Sequence, residues 1–441
     1  MIKHSKAAAA HLQDRERADW QDETLWQVRS KRDLRASEVP GWEALRDRAA
    51  AIKDYCADHV EDLIDTFERR AAANGAVVHR AADAAEYCRI IGDLLCLHGV
   101  RKFVKSKSML SEECGLQPYL AGRGIEVIET DLGERIIQLL HQKPSHIVLP
   151  AIHLRREQVG ELFEREMGTE PGNSDPTYLT HAARANLRGH FLTADAAMTG
   201  ANFAVASTGD VVVCTNEGNA DMGTSIPKLQ IAAFGLEKIV PDLESLGVFS
   251  RLLARSATGQ AVTTYTTHYR APREEGCEFH IIVVDNGRRE ILASPVHRGV
   301  LRCLRCGACM NTCPVYRRSG GYSYPYFIPG PIGVNLGMLR SPKEFRTALS
   351  ACSLCHSCSM VCPAKVDLAE QIYAWRQEYC SSAAKHMVSD ALKVVMSSPA
   401  LFNSAMSCGA LGLRLAPWVK WGQGRAMPQF PPYNFNSLMK K

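Results

Sequence analysis

The sequence lacks the segments that mark secreted and membrane-spanning proteins, and it lacks nucleotide-binding motifs. Its opening stretch, MIKHSKAAAAHLQDRERADWQDE, has no apolar signal-peptide core and carries acidic residues early, which also disfavours a transit peptide. No uninterrupted apolar run reaches the length of a transmembrane helix. No Gly-rich dinucleotide motif or P-loop stands in a suitable context, so nucleotide binding has no support. These absences predict a cytoplasmic chain.

The chain also carries little net charge. Its 441 residues have a formal net charge of +5, which gives no reason to expect nucleic-acid binding. Hydrophobic residues make up 46% of the chain, an ordinary globular content. A chain of this length is too long for one ordinary domain, so we expect two or three units, each with a core of its own.

Cysteine, by contrast, is abundant. The chain has 16 cysteines, and half of them lie in two matching runs, CLRCGACMNTCPVY from residue 303 and CSLCHSCSMVCPA from residue 352. Each run has cysteine gaps of two, two and three residues, and its last cysteine precedes a proline, Pro314 or Pro363. The other eight are scattered and are predicted to be small core residues. Disulfides are disfavoured in a reducing compartment.

The two runs predict two [4Fe–4S] clusters. The spacing is that of bacterial ferredoxins, in which the fourth cysteine of each run binds the cluster of the other run. Two zinc sites would more often show paired CxxC knuckles with histidine, so zinc and redox disulfides are the weaker alternatives. The predicted ligands of the first cluster are Cys303, Cys306, Cys309 and Cys362. The predicted ligands of the second cluster are Cys352, Cys355, Cys358 and Cys313.

The remaining pattern predicts an α/β protein with four regions. Residues 1–70 have helical periodicity, 71–295 alternate strands and helices as in a largely parallel sheet, 296–380 hold the cysteine runs, and 381–441 form a helical segment with an extended tail. Strands are predicted at AVVHRA, KFVKS, GIEVIET, SHIVLPA, NFAVAS, VVVCT, TTYTTHYR and EFHIIVVDNG. The Gly/Pro/Tyr-rich stretch SGGYSYPYFIPGPIGVNLG is predicted to be irregular.

Three polar residues follow predicted strands and are candidates for a ligand site. Lys107, Asp131 and Glu217 each lie just beyond a strand, where open α/β sheets bind ligands. Each has a structural alternative. After Lys107, Ser111 with Glu112 and Glu113 also suits a helix cap, Asp131 is also a good helix N-cap, and the sequence around Glu217 also fits a turn. The sequence leaves both interpretations open.

An ordered set of motifs resembles a known family. KSKSM, ETDLGERIIQL, PSHIVLPAIH, TGANFAVASTGDVVVCTNEGN and VVDNGR resemble the LUD domain, and this domain followed by the two cysteine runs resembles the lactate utilisation protein B family. The resemblance implies that the α/β region has the NagB/RpiA/CoA-transferase-like fold. The resemblance also implies that an α-helical ferredoxin-type domain follows this α/β region.

The resemblance also implies a function and partners. It implies an iron–sulfur electron-transfer subunit of an L-lactate oxidation complex, working with a cysteine-rich CCG-domain subunit, a second shorter LUD-domain subunit and an acceptor such as a quinone. Two alternatives stay open: the LUD domain itself acts on the substrate, or it only docks partners. Membrane contact is expected to be at most peripheral, although Trp418 and Trp421 near the C-terminus would also suit an interfacial helix.

Overall fold

A computed structural model describes residues 3–380 and 383–415. The helices α1 to α21 are, in chain order, His4–His11, Arg15–Ser37, Trp42–Asp58, Val60–Ala73, Ala84–Leu97, Met109–Cys114, Leu116–Ala121, Leu132–Leu139, Arg156–Met167, Pro176–Leu192, Asn219–Thr224, Leu243–Thr258, Arg288–Leu292, Ala308–Thr312, Pro314–Ser319, Gly330–Arg340, Pro342–Leu349, Ser357–Val361, Leu368–Cys380, Ala383–Met396 and Pro399–Leu415. The strands β1 to β10 are Val77–Ala81, Lys102–Lys105, Glu126–Glu129, Ala196–Gly200, Phe203–Val205, Asp210–Thr215, Leu229–Gly235, Ile239–Val240, Tyr265–Tyr269 and Glu278–Val284.

The larger sheet has six strands, all parallel, in the order β1-β10-β7-β4-β2-β3. Its central strand β7 is buried at every residue, as expected for a parallel sheet covered on both faces. The α/β prediction is therefore confirmed, and the mainly helical region that follows it holds both cysteine runs. The specific likeness to the NagB/RpiA group stays a prediction.

The smaller sheet has the order β8-β5-β6-β9, in which β6 pairs antiparallel with β5 and β9. Its core contains Phe203 and Phe249, and it extends into the cysteine runs through Leu304, Cys306 and Val361. The first cysteine run therefore packs directly on the α/β core rather than forming a core apart from it.

One predicted strand is wrong. SHIVLPA, from residue 145, is an irregular loop because its polar groups are satisfied locally. The Ser145 N–H donates to the Pro150 carbonyl at 3.0 Å. His146 Nδ1 accepts from the backbone N–H groups of Val148 and Leu149, both at 3.0 Å. These bonds fold the segment back on itself and leave no ladder for a neighbouring strand.

A second correction concerns the stretch from Ser319 to Gly337, predicted to be irregular throughout. Its second half begins α16, which runs Gly330–Arg340. Pro331 stands in the first turn, where a missing N–H costs nothing. Residues 330–338 are all buried, and a Cβ on Gly333 would collide with the Ile328 carbonyl. Close packing therefore overrides the poor helix propensity of glycine.

The N-terminal region is helical as predicted, and it holds the second cysteine run. Arg46, on α3, donates to the Cys362 carbonyl from Nε at 3.0 Å and from Nη2 at 2.8 Å. Arg32, on α2, donates to the Val361 carbonyl at 3.0 Å. Both guanidinium groups are buried, so these contacts fix the backbone beside a predicted cluster ligand.

The chain divides into two compact units, Met1–Arg376 and Gln377–Lys441. In the second unit, α20 and α21 pack together, and their exposed apolar side chains include Met387, Val388 and Leu392. Among the described residues, no helix is both long and apolar enough to cross a membrane. Trp418 and Trp421, named above for an interfacial helix, lie outside the described residues.

Candidate metal centre and adjoining cavity

The two cysteine runs share one unusual backbone conformation. Arg305 and Gly307 in the first run have φ values of 61° and 76°, and Leu354 and His356 at the matching positions have 55° and 58°. A left-handed conformation costs a non-glycine residue roughly 1–2 kcal/mol. Such strain is tolerated where the surroundings enforce it, most often at functional sites. Because the same left-handed conformation occurs at matching positions of both runs, we infer that the two turns hold the same kind of ligand.

Backbone N–H groups point at sulfur in both runs. This arrangement suits thiolates, because N–H donors stabilise the charge on sulfur and tune the potential of a bound cluster. The donors and acceptors are Arg305 N–H to Cys303 Sγ at 3.3 Å, Leu354 N–H to Cys352 Sγ at 3.3 Å, Tyr316 N–H to Cys313 Sγ at 3.5 Å and Val366 N–H to Cys362 Sγ at 3.2 Å.

We call the predicted ligands Cys303, Cys306, Cys309 and Cys362 the first group, and Cys352, Cys355, Cys358 and Cys313 the second group. The buried thiols have neighbours in the other run, as this prediction requires. Burial raises the pKa of Cys306 to about 12, and Cys362 and Cys303 add to the rise as neighbours. Burial raises the pKa of Cys313 to about 11, and its neighbouring thiols are Cys352 and Cys355.

Two further cysteines complete the groups. Burial raises the pKa of Cys309 well above its ordinary value, and the thiols around it are Cys303, Cys306, Cys358 and Cys362. Cys358, whose pKa burial raises to about 12, otherwise interacts with the thiols of the second group. Cys309 and Cys358 therefore link the two groups, on the neighbouring helices α14 and α18.

The donor set fits a pair of cubane clusters. Buried thiols with pKa values of about 11 to 12 stay protonated at neutral pH unless a cation takes the proton's place, as iron does. Within residues 3–380 and 383–415, no three Cys, His, Asp or Glu side chains meet as ligands of a single metal ion. In a cubane each cysteine binds a different iron, so the thiols need not converge on one point.

The two groups differ in their surroundings. In the first group, Cys306, Cys309 and Cys362 are buried. In the second group, Cys355 is exposed, and the nearby Met360 is 72% exposed. The first group therefore lies inside the protein, whereas the second reaches the surface. Outside the groups, Cys96 and Cys408 are exposed, so the prediction of a core role is wrong for those two.

Cations surround Cys303. Burial lowers the pKa of Lys238 to about 8, against the attraction of Glu237. Burial also lowers the pKa of Lys53, whose Nζ donates to the Glu237 carbonyl. Arg305 lies 3.7 Å from the Glu237 carboxylate. The charge on Cys303 raises the pKa of all three cations, which places them beside the first group of thiols.

A cavity of about 210 Å³ separates the first cysteine run from the parallel sheet. Its floor is formed where β2, β4 and β7 end, at Ser106, Gly200 and Gly235, the usual ligand position in an open α/β sheet. The opposite wall includes Arg305 and Cys306. A molecule in this cavity would contact both the sheet edge and a predicted cluster ligand.

The three sequence candidates do come together at this edge. The Lys107 N–H donates to Asp131 Oδ2 at 2.6 Å, and Lys107 Nζ pairs with Glu134 at 2.5 Å. Glu217 accepts the Leu132 N–H at 3.0 Å. Burial raises the pKa of Asp131 to about 8, with Glu134 and Glu217 adding to the rise. Lys107 and Asp131 line the cavity and Glu217 does not, so these contacts mainly tie loops together.

Sequence reasoning missed the residues that join the sheet to the cysteine runs. His146 is buried, and its Nε2 bonds to Asn311 Oδ1 at 3.0 Å. Burial lowers the pKa of His146 to about 3, so the ring is neutral. A Cβ on Gly307 would lie 2.9 Å from its Cε1. Arg305 and Lys238 were also missed, since a single histidine, arginine or lysine carries no spacing signal.

The close approach of Gly307 to His146 predicts a large effect of Gly307→Ala. The added Cβ meets both a positive φ and the imidazole, so we expect a loss beyond the roughly 1 kcal/mol of the backbone conformation alone. Gly276→Ala is the matched control, because Gly276 has a φ of 78° and no atom within 4 Å of the new Cβ. Thermal unfolding and bound iron measure both effects; equal losses in the two variants would contradict the packing argument.

Comparison with known proteins gives two family matches within the chain. Residues 64–292 match the LUD domain family, and residues 299–366 match the 4Fe-4S dicluster domain family. A crystal structure of a DUF162 family protein from Deinococcus radiodurans covers 51% of this chain and 98% of its own, at 16% identity and a TM-score of 0.29, too low to support any argument.

Curated relatives match over most of their length. "Uncharacterized electron transport protein YkgF" of Escherichia coli is 39% identical over 94% of this chain and 91% of its own. "Lactate utilization protein B" of Geobacillus thermodenitrificans is 40% identical over 86% of this chain and 80% of its own. Together with the LUD and dicluster matches, these relatives show that the chain belongs to the lactate utilisation protein B family.

Proposed function

We propose that this chain is the iron–sulfur electron-transfer subunit of a complex that oxidises L-lactate to pyruvate. The observation that carries the proposal is that Cys306, Cys309, Cys313 and Cys358 each have thiol neighbours in the other run. The relatives' names, one an electron transport protein and the other a lactate utilization protein, support the same role.

The first cluster is assigned to Cys303, Cys306, Cys309 and Cys362, and the second to Cys352, Cys355, Cys358 and Cys313. Bound clusters of this kind supply one-electron storage and transfer. The chain's own part is to hold the thiolates with N–H donors, to shield the first group from water and to expose the second at Cys355. This gradient of burial supports electron entry at the first group and exit at the second.

The proposed setting is a cytoplasmic complex, with at most peripheral membrane contact. The proposed partners are a cysteine-rich CCG-domain subunit and a second, shorter LUD-domain subunit, and the electrons pass on to a quinone or another carrier. Within the chain we propose the division given by the sequence: residues 1–70, 71–295, 296–380 and 381–441.

A second candidate function is that the LUD domain itself binds the substrate. The observation that favours it is the cavity between the sheet edge and Cys306, where a ligand would lie next to the first cluster. The other alternative is that the LUD domain only docks partner subunits. That role would not require an internal cavity lined by charged side chains. It remains compatible with the exposed surface around Met360.

Anaerobic reconstitution tests the electron-transfer proposal. We expect about eight irons and eight sulfides per full-length chain, and two one-electron steps in a redox titration followed by electron paramagnetic resonance. The buried first group and the exposed second group should give different potentials, because solvent exposure and nearby charge set the potential. Four irons or none per chain, or bound zinc in place of iron, would overturn it.

A further inference from the structure

The cavity beside the first cysteine run has an excess of positive charge. Its charged lining residues are four cationic side chains, Lys107, Lys238, Arg288 and Arg305, and three acidic ones, Glu113, Asp131 and Glu237. Burial raises the pKa of Asp131 to about 8, so this carboxyl is largely neutral near pH 7. Lys107 pairs with Glu134 from outside the lining, so three cations, Lys238, Arg288 and Arg305, face two ionised carboxylates.

The two ionised carboxylates are already bound. Arg288 donates from Nη2 to Glu113 at 3.0 Å and from Nε to Glu237. Arg340 adds a second cation on Glu113 at 2.7 Å. Arg288 therefore binds both carboxylates directly, and Glu237 reaches Arg305 only at 3.7 Å.

Two cations of the lining lack sufficient partners. Among the residues that the structure describes, Lys238 makes no side-chain hydrogen bond or ion pair, although it lines the cavity. The Arg305 side chain is only 9% exposed, and its Nη1 is buried with no hydrogen-bond partner. A buried donor without a partner is costly, so Arg305 Nη1, together with the unpaired and half-buried Lys238 ammonium on the same lining, indicates an anion that completes the site.

The size of the cavity limits the anion. About 210 Å³ is below the roughly 300–1,000 Å³ of pockets for drug-sized ligands, so the space suits a molecule of a few heavy atoms and not a nucleotide or coenzyme A. The lining also offers uncharged polar groups at Ser106, Asn202 and Asn216, which can bond a hydroxyl or keto oxygen. The guanidinium of Arg305 and the ammonium of Lys238 are both charged hydrogen-bond donors, and such donors bind a carboxylate well.

We propose that this cavity binds a small 2-hydroxy or 2-oxo monocarboxylate, with its carboxylate held by Lys238 and Arg305 against the wall formed by Cys306. The substrate class rests on the proposed function, while the anion site rests on the unpaired Lys238 ammonium and the unbonded Arg305 Nη1, which belong to residues that line one cavity. Arg305 has a double role, because its backbone N–H also donates to Cys303 Sγ. A ligand here would thus touch residues that hold the first cluster.

Titration calorimetry on the reconstituted full-length chain tests the site. We expect L-lactate or pyruvate to bind, and lactamide, which has no carboxylate, to bind at least about tenfold more weakly, since a charge-assisted bond is lost. Binding of lactate should also shift the electron paramagnetic resonance signal of the first cluster. Equal binding of lactamide, or tight binding of inorganic phosphate with none of lactate, would overturn the proposed ligand class.

Lys238→Met isolates the site from the clusters. We expect a loss of affinity of about tenfold to a hundredfold with unchanged iron content, because the ammonium bonds neither a cluster cysteine nor any other described side chain. Lys228→Met is the matched control on an exposed lysine outside the cavity, and it should bind like the wild type. Arg305→Asn, which keeps a residue tolerant of positive φ, should weaken binding in the same direction.

The outcomes separate this inference from the proposed function. A chain with eight irons that binds no carboxylate, or whose Lys238→Met variant binds as tightly as the wild type, overturns the cavity assignment and leaves the electron-transfer proposal intact. A chain that binds carboxylate but holds no cluster overturns the electron-transfer proposal and leaves the cavity assignment intact.

Discussion

Cys313→Ser is expected to remove the cluster anchored by Cys352, Cys355 and Cys358, rather than the one beside Cys313 in the sequence. In the structure the thiols near Cys313 are Cys352 and Cys355, so serine deprives that group of its fourth ligand. Iron should fall from about eight to about four per chain, and the redox titration should keep only the step of the buried cluster. Serine is nearly isosteric, so the fold around α15 should stay intact.

Substitution of the fourth cysteine of the second run is the control for the crossed ligand assignment. Cys362→Ser should remove the first cluster and retain the second, because Cys362 lies with Cys303 and Cys306. Cys96→Ser, at an exposed cysteine far from both runs in the sequence, should keep all the iron. If Cys313→Ser instead lost the cluster of its own run, with the signal of the surface cluster retained, the crossed assignment would be wrong.

Local pattern was enough to predict the runs and most strands. The spacing of Cys303, Cys306 and Cys309 is a property of one short turn, which a few neighbouring residues determine. VVVCT and EFHIIVVDNG each contain an uninterrupted apolar run, and both form strands as predicted, as β6 and β10. SHIVLPA has the same composition, yet the imidazole of His146 captures its N–H groups, which composition does not reveal.

What the sequence could not predict depends on contacts between distant residues. The turn explains the positive φ of Gly307. The absence of a side chain is also required because His146, far away in the sequence, packs against this position. Arg46 binds the backbone at Cys362, more than 300 positions away. Arginines of this kind look like ordinary surface residues in a helical pattern, because only the tertiary fold determines which charges are buried.

One buried arginine connects the α/β core to the first cysteine run. Arg288, the first residue of α13, binds Glu113 and Glu237, and Glu237 in turn lies 3.7 Å from Arg305. Arg305 continues to Cys303 through its backbone N–H. This chain of charges links the sheet edge, the cavity wall and the first group of thiols, so its loss should affect both stability and the first cluster.

Arg288→Met should therefore destabilise the protein strongly. The Arg288 side chain is 5% exposed, and its removal leaves two buried carboxylates short of a partner, which typically costs about 3–5 kcal/mol. The neighbouring Arg289→Met is the matched control, because Arg289 is 42% exposed and its ion pairs with Glu61 and Asp285 should contribute at most about 1 kcal/mol. Urea unfolding measures both losses. Similar losses in the two variants would mean that burial does not amplify the Arg288 network, and normal iron binding in a destabilised Arg288→Met would restrict its role to the fold.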